Sequence, residues 1–181
     1  MSEDALTRLG MSTAEACLGV LEMFAAGKVS MGEITTMADS KTAFDGTPVP
    51  AVAMAVSYVD GVTGGNVFLI TLEGARRLAA SMMGMDEPED PEAPELSELE
   101  LSAVSEAMNQ MMASAAAATS VVLGTEVEIS PPITRVLRAG EPAPEDLCPP
   151  TPGSMPIIAA ARRLAPASVM TSTLPPVTPS T

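Results

Sequence analysis

Glu98-Leu99-Glu100-Leu101-Ser102-Ala103-Val104-Ser105-Glu106-Ala107-Met108-Asn109-Gln110-Met111-Met112 sorts its side chains onto two faces at helical spacing. At about 100° per residue, Ser102, Glu106 and Asn109 fall within ~60° of one another, and Glu98 extends that face by a turn. Val104, Ala107, Met111, Ala115, Ala118 and Val122 cluster on the opposite side and form the expected buried stripe. The spacing predicts a helix over 96–123, with its methionines in the core rather than on a ligand-binding surface. Alanines in its second half allow close approach of a neighbouring element.

Moving outward, a short strand is expected at 126–130, then Pro131-Pro132, with 133–137 as a further possible strand. Upstream, 86–95 carries proline at every third position among carboxylates, which disfavours helix and reads as a solvated acidic linker. It lacks the oxygen-ligand and glycine spacing of a calcium loop. Before it, 73–83 reads as a helix with Leu78 and Met82 on its buried side. Strands are expected at 52–59 and 66–72, joined by the Gly-rich hairpin Asp60-Gly61-Val62-Thr63-Gly64-Gly65. That loop runs into Asn66-Val67 and not Gly-Lys-Ser/Thr, so it is no phosphate cradle. The N-terminal segment 2–26 is helical by the recurrence of Leu6, Leu9, Leu18, Leu21 and Met23, with Gly27 as the stop and a short strand at 28–34.

A shift of 98 residues lays the chain on itself, with Asp4 opposite Ser102 and Val29 opposite Val127. Each copy is a helix followed by a short strand. The duplication implies pseudo-twofold packing, two helices side by side with one polar face outward on each. The fold class is therefore α/β in the mixed α+β sense.

Composition removes several classes of function. The chain has 181 residues and a formal charge of −14, with no Lys or Arg between Leu78 and Thr134. Nucleic acid is a poor partner for such a balance, because phosphate binding needs clustered cations. There is no His, so a Ser-His-Asp triad, a Cys-His pair and an imidazole metal site are all excluded. Cys17 and Cys148 stand far apart, and both are expected to be reduced. The opening Met1-Ser2-Glu3-Asp4 has no signal-peptide character, and no apolar run reaches the ~18–20 residues of a membrane span.

A Glu and an Asn three apart on a helix face mean little alone. Here they belong to a four-point pattern: Ser102, Glu106, Asn109 and, 23 positions further, Pro132. With Ala107-Met108-Asn109-Gln110-Met111-Met112 and Ile129-Ser130-Pro131-Pro132, this pattern resembles the CheC-like phosphatases, comprising CheC, CheX and the FliY branch, and is most similar to the last. The resemblance runs from about Asp4 to Pro132 and implies two long helices packed on a β-sheet. It implies a substrate as well, the aspartyl phosphate of the response regulator CheY. By the same resemblance Glu106 docks against the regulator's conserved lysine, Asn109 enters its active site to position the attacking water, and Ser102 and Pro132 support them. No metal of its own is expected, since the regulator carries Mg²⁺. A cytoplasmic location is implied, at the cytoplasmic face of the flagellar basal body with FliM, FliN and FliG as further partners.

The first copy departs from the pattern. Asp4 matches, but Arg8 stands where Glu is expected, Met11 where Asn is expected and Ile34 where Pro is expected. A cation and a thioether cannot hold an attacking water, so this half-site is expected to be inactive. The second copy also reads as curtailed. Ten of the 17 prolines fall in the last 43 residues, and no hairpin is visible after 137. The expected organisation is a CheC-like domain over 1–138, with a first repeat at 2–84, the acidic linker at 86–95 and a second repeat at 96–138. Residues 139–181 follow as a mostly irregular tail, without a FliN-like domain, and the second half reads as truncated. That leaves the apolar face around Met108, Met111 and Met112 expected to be uncovered. A non-catalytic docking component of the motor switch is the alternative reading.

Overall fold

The computed structural model describes residues 3–24, 35–37, 49–59, 64–90, 92–142, 144–147, 157–159 and 169–173. The elements run α1 (Glu3–Phe24), β1 (Thr35–Met37), β2 (Ala51–Ser57), β3 (Gly65–Thr71), α2 (Leu72–Met82), α3 (Glu98–Leu123), β4 (Ile133–Leu137), a 3-10 turn (Glu145–Leu147), β5 (Ile157–Ala159) and β6 (Val169–Thr173). The fold is the mixed α/β arrangement expected, with long helices on an antiparallel sheet. The strand foreseen at 28–34 lies outside the described residues.

Local chemistry fixes the element ends. Thr71 closes β3 and caps α2, its hydroxyl accepting from the Gly74 N–H at 3.1 Å. Ser97 and Glu100 form a reciprocal capping box at the start of α3, with the Glu100 N–H donating to Ser97 Oγ at 3.2 Å and the Ser97 N–H to Glu100 Oε2 at 2.7 Å. Gly124 ends α3 in the left-handed region, φ 67°, where a side chain would be strained.

β2 and β3 pair antiparallel from Ala51↔Thr71 to Ser57↔Gly65. A Cβ on Gly65 would meet the Val56 carbonyl oxygen at 2.2 Å, so only glycine fits this close approach. Both strands are buried on both faces, which explains their near-continuous apolar runs. Val52, Met54, Val56, Phe68 and Ile70 pack against the three helices in one core. Ala53, Ala55, Val67 and Leu69 meet Leu137 and Leu147 on the other side.

Met108, Met111 and Met112 are fully buried, as the helical pattern predicts and contrary to the uncovered face expected of a truncated second half. α1 and α2 both pack on α3 and cover it. With three Phe and no Trp in the chain, unbranched methionines supply the volume that fills the gaps between these elements.

The second half is more complete than its sequence suggests. The strand order β4-β2-β3-β6 and the separate pair β1-β5 form one pseudo-symmetric set. Exchanging β1 with β4, β2 with β5 and β3 with β6 maps β4–β2 onto β1–β5 and returns β3–β6 to itself. β5 and β6 are therefore the counterparts of the first hairpin, and they lie in contact. The expectation of a mostly irregular tail over 139–181 is corrected at these two strands, Ile157–Ala159 and Val169–Thr173. The physical reason is local: Val169-Met170-Thr171-Ser172-Thr173 is a proline-free island of β-formers between Pro166 and Pro175, and β3 offers it a ladder. A counterpart of α2 is absent among the described residues.

The strand foreseen at 126–130 is reduced to one bridge, Tyr58↔Ile129, and the strand proper follows the two prolines as β4. β4 pairs with β2 from Ala55↔Ile133 to Ala51↔Leu137, so the next two partners would be Pro132 and Pro131. Neither has an N–H, and the ladder breaks there. It resumes where Ser130 donates its N–H to the Ser57 carbonyl at 2.8 Å and Val59 its N–H to the Glu128 carbonyl at 3.0 Å.

The acidic linker keeps its carboxylates in solvent but is pinned by its backbone. Buried Arg76 of α2 donates from Nη2 to the carbonyls of Ala93 and Glu95, the latter at 3.0 Å. Arg138 pairs with Glu95 Oε1 at 2.9 Å. Residues 93–95 are thus held from both repeats just before the α3 cap, a restraint that the Pro/Glu composition concealed.

Candidate functional site

The helix that begins at the Ser97 box presents Ser102, Glu106 and Asn109 to solvent on one face. Behind them Val104, Ala107, Met108, Met111, Met112 and Ala115 are buried, so packing fixes the direction in which the polar face points. Two positions of the expected stripe differ: Ala118 is half-buried and Val122, in the last turn, is 39% exposed.

Gln110 is a neighbour that the sequence pattern did not single out. Its Nε2 donates to Glu106 Oε1 at 2.9 Å across one helical turn. The i, i+4 spacing could have revealed it. The bond holds one carboxylate oxygen of Glu106 and leaves the other facing solvent. Pro132 lies on a different element, exposed in the approach to β4.

The first half-site occupies the matching face of α1. Arg8 is exposed and Met11 is 43% exposed, while Asp4 lies within α1. With the shift of 98, Leu9/Ala107, Gly10/Met108, Thr13/Met111, Ala14/Met112, Cys17/Ala115 and Leu21/Thr119 are buried in both copies. Arg8/Glu106, Met11/Asn109, Glu15/Ala113, Gly19/Ala117 and Met23/Val121 are exposed in both. The two outward faces are equivalent in place and different in chemistry.

Two buried polar groups support the helices from beneath. The Cys17 thiol contacts the Met111 carbonyl at 3.7 Å, and burial pushes its pKa from 9.0 up to about 12, which makes it unreactive. The Tyr58 hydroxyl donates to Asn66 Oδ1 at 3.1 Å and lies 3.4 Å from Thr119 Oγ1 of α3; burial raises its pKa from 10.0 to about 12. Neither group reaches the exposed face.

An exposed carboxylate beside an exposed carboxamide, on a helix whose other side is locked in the core, is a rigid projecting probe. The CheC-like family model matches residues 99–135, a span containing Ser102, Glu106, Asn109 and Pro132. The chain belongs to the CheC-like family. Within it, the chain is 34% identical over 151 residues to the flagellar motor switch phosphatase FliY of Bacillus subtilis (strain 168), covering 82% of this chain. It spans about 39% of that relative's length. Thermotoga maritima FliY shares the fold at a TM-score of 0.68 with 25% identity, covering 95% of this chain and 90% of that one. The FliM middle domain from H. pylori matches at a TM-score of 0.68 with 13% identity, covering 98% and 94%. The CheX–CheY–BeF3–Mg complex from Borrelia burgdorferi matches at 0.61 with 14% identity, covering 91% and 95%. These last two show the fold alone. Among the described residues, no helix is long and apolar enough to cross a membrane.

Proposed function

We propose that this chain hydrolyses the aspartyl phosphate of a CheY-type response regulator, working from α3 at the motor switch on the cytoplasmic side. The observation that carries the reading is the shared exposed face of Ser102, Glu106 and Asn109 within the family-matched span. The name of the Bacillus relative, a motor switch phosphatase, and the CheX–CheY complex built on this fold support it.

The chemistry asks little of the chain. An aspartyl phosphate is already activated, and the regulator brings Mg²⁺ and the lysine that stabilise the transferring group. What is missing is a water in line with the P–O bond. A carboxamide can hold one, donating through Nδ2 or accepting through Oδ1. Asn109 supplies that group, and phosphoryl transfer depends mainly on positioning and electrostatics. Glu106 contacts the regulator's lysine through its free oxygen, while Gln110 holds the other. Ser102 and Pro132 are supporting positions, and no metal is needed on this chain.

The test is phosphate release from phosphorylated CheY with and without the chain. Acceleration that disappears in Asn109→Ala is the expected result. No acceleration, or full activity in Asn109→Ala, overturns the reading. The second reading, a docking component without catalysis, is favoured by Arg8 and Met11 at the equivalent positions of α1. It predicts regulator binding without accelerated release.

A further inference from the structure

The C-terminal half of α3 and the segment 124–129 that follows it border a shallow, wide-open groove. Ala113, Ala117 and Val121 line it from the helix, and Glu126 and Glu128 from the returning segment. Ala113 and Ala117 are exposed, and Val121 is 82% exposed. The three residues follow Asn109 at successive intervals of four, so they continue its face of the helix toward the C-terminus.

Distance and charge together identify an occupant. At ~1.5 Å of rise per residue, Val121 lies ~18 Å along the axis from Asn109. A standard interface of ~800 Å² per partner corresponds to a disc of ~16 Å radius. Such a disc is ~32 Å across, wider than the ~18 Å from Asn109 to Val121, so one partner can cover both the Glu106–Asn109 pair and the groove. The lining comes entirely from a stretch without Lys or Arg. The ion pairs among the described residues use Glu73, Glu95 and Asp146, and none uses the exposed Glu126 or Glu128. Two uncompensated carboxylates beside an apolar floor match a surface that offers Lys or Arg next to an aliphatic side chain. The α1 face has no such track, because Glu15 stands where α3 has Ala113.

We propose that this groove is the outer part of the regulator's docking surface on α3, receiving an apolar side chain flanked by cations. The proposal rests on the function reading above, and it assigns affinity to the groove and catalysis to Asn109. Contacts made equally in the ground state and the transition state change KM and leave kcat alone.

The probe is CheY loaded with beryllium trifluoride and Mg²⁺, titrated calorimetrically against the full chain, with steady-state phosphate release measured in parallel. Val121→Asp and the double variant Glu126→Lys/Glu128→Lys should each weaken binding roughly tenfold and raise KM with kcat unchanged. The double variant should also flatten the salt dependence of Kd. Thermal midpoints should stay at the wild-type value, because these side chains are exposed. Unchanged Kd in both variants, with Asn109→Ala inactive, overturns the groove proposal and leaves the function reading standing. Binding that the variants weaken, with no hydrolysis by the wild type, overturns the function reading and keeps the groove. No binding by the wild type overturns both.

Discussion

α1 and α3 hide equivalent positions and expose equivalent positions, yet only α3 displays a carboxylate and a carboxamide. Their inward faces differ in volume but not in role: Leu9 lies opposite Ala107 and Ala14 opposite Met112, and all four are buried. Burial constrains each inward position through the close packing of its neighbours. Exposed positions carry no such constraint, so the outward chemistry of α1 is free to differ at no cost to the fold. The candidate site belongs to one helix surface, set on a scaffold that both halves build.

The largest effect should come from removing the strands that complete the symmetry. Deleting residues 148–181 takes away β5 and β6, leaving β3 as an apolar edge and β1 without its partner. Loss of a cooperative thermal transition, with aggregation, is expected. A truncated chain that melts like the full one would show that the two halves are not equally needed. Next in size is Asn109→Ala, which should lower phosphate release by about 10²-fold with an unchanged circular dichroism spectrum. Glu106→Lys should weaken regulator binding, since it sets like charge against a lysine.

A smaller effect concerns the inward faces at high pH. Cys17 and Tyr58 both have folded pKa values raised to about 12, above their ordinary 9.0 and 10.0. The folded state holds these protons more tightly than the unfolded state, so their stabilisation is complete below about pH 9 and is lost as pH rises to 12. Denaturant midpoints should be insensitive to these groups below pH 9 and fall above it. Cys17→Ala gives α1 the residue that α3 has at position 115; it should cost about 1 kcal/mol and make the alkaline fall shallower. An unchanged alkaline limb would remove the thiol from the account. The smallest effect is expected on the outward face of α1. Arg8→Ala and Met11→Ala should leave phosphate release unaltered and stability within about 0.5 kcal/mol. A large loss from Arg8→Ala would mean that the α1 face contacts the partner as well.

Much of this was legible in the chain. Periodicity located α1, α2 and α3, the Gly-rich turn marked the β2–β3 hairpin, and the wheel put Ser102, Glu106 and Asn109 together on the exposed side. Each of these rests on interactions between residues close in sequence, so the letters determine them. The strands after Ala139 were hidden, because proline content averages over a segment whereas a ladder needs only a few residues with free N–H groups and a waiting edge. The strand at 133–137 was legible, but the reduction of 126–130 to a single bridge was hidden, since it depends on which β2 residues the prolines face. Only the tertiary structure decided that α1 and α2 are what covers Met108, Met111 and Met112, that Arg76 grips the backbone before α3, and that Ala113, Ala117 and Val121 line a groove with Glu126 and Glu128. Burial and grooves are made by elements distant in sequence, and one helix alone cannot specify what will lie across it.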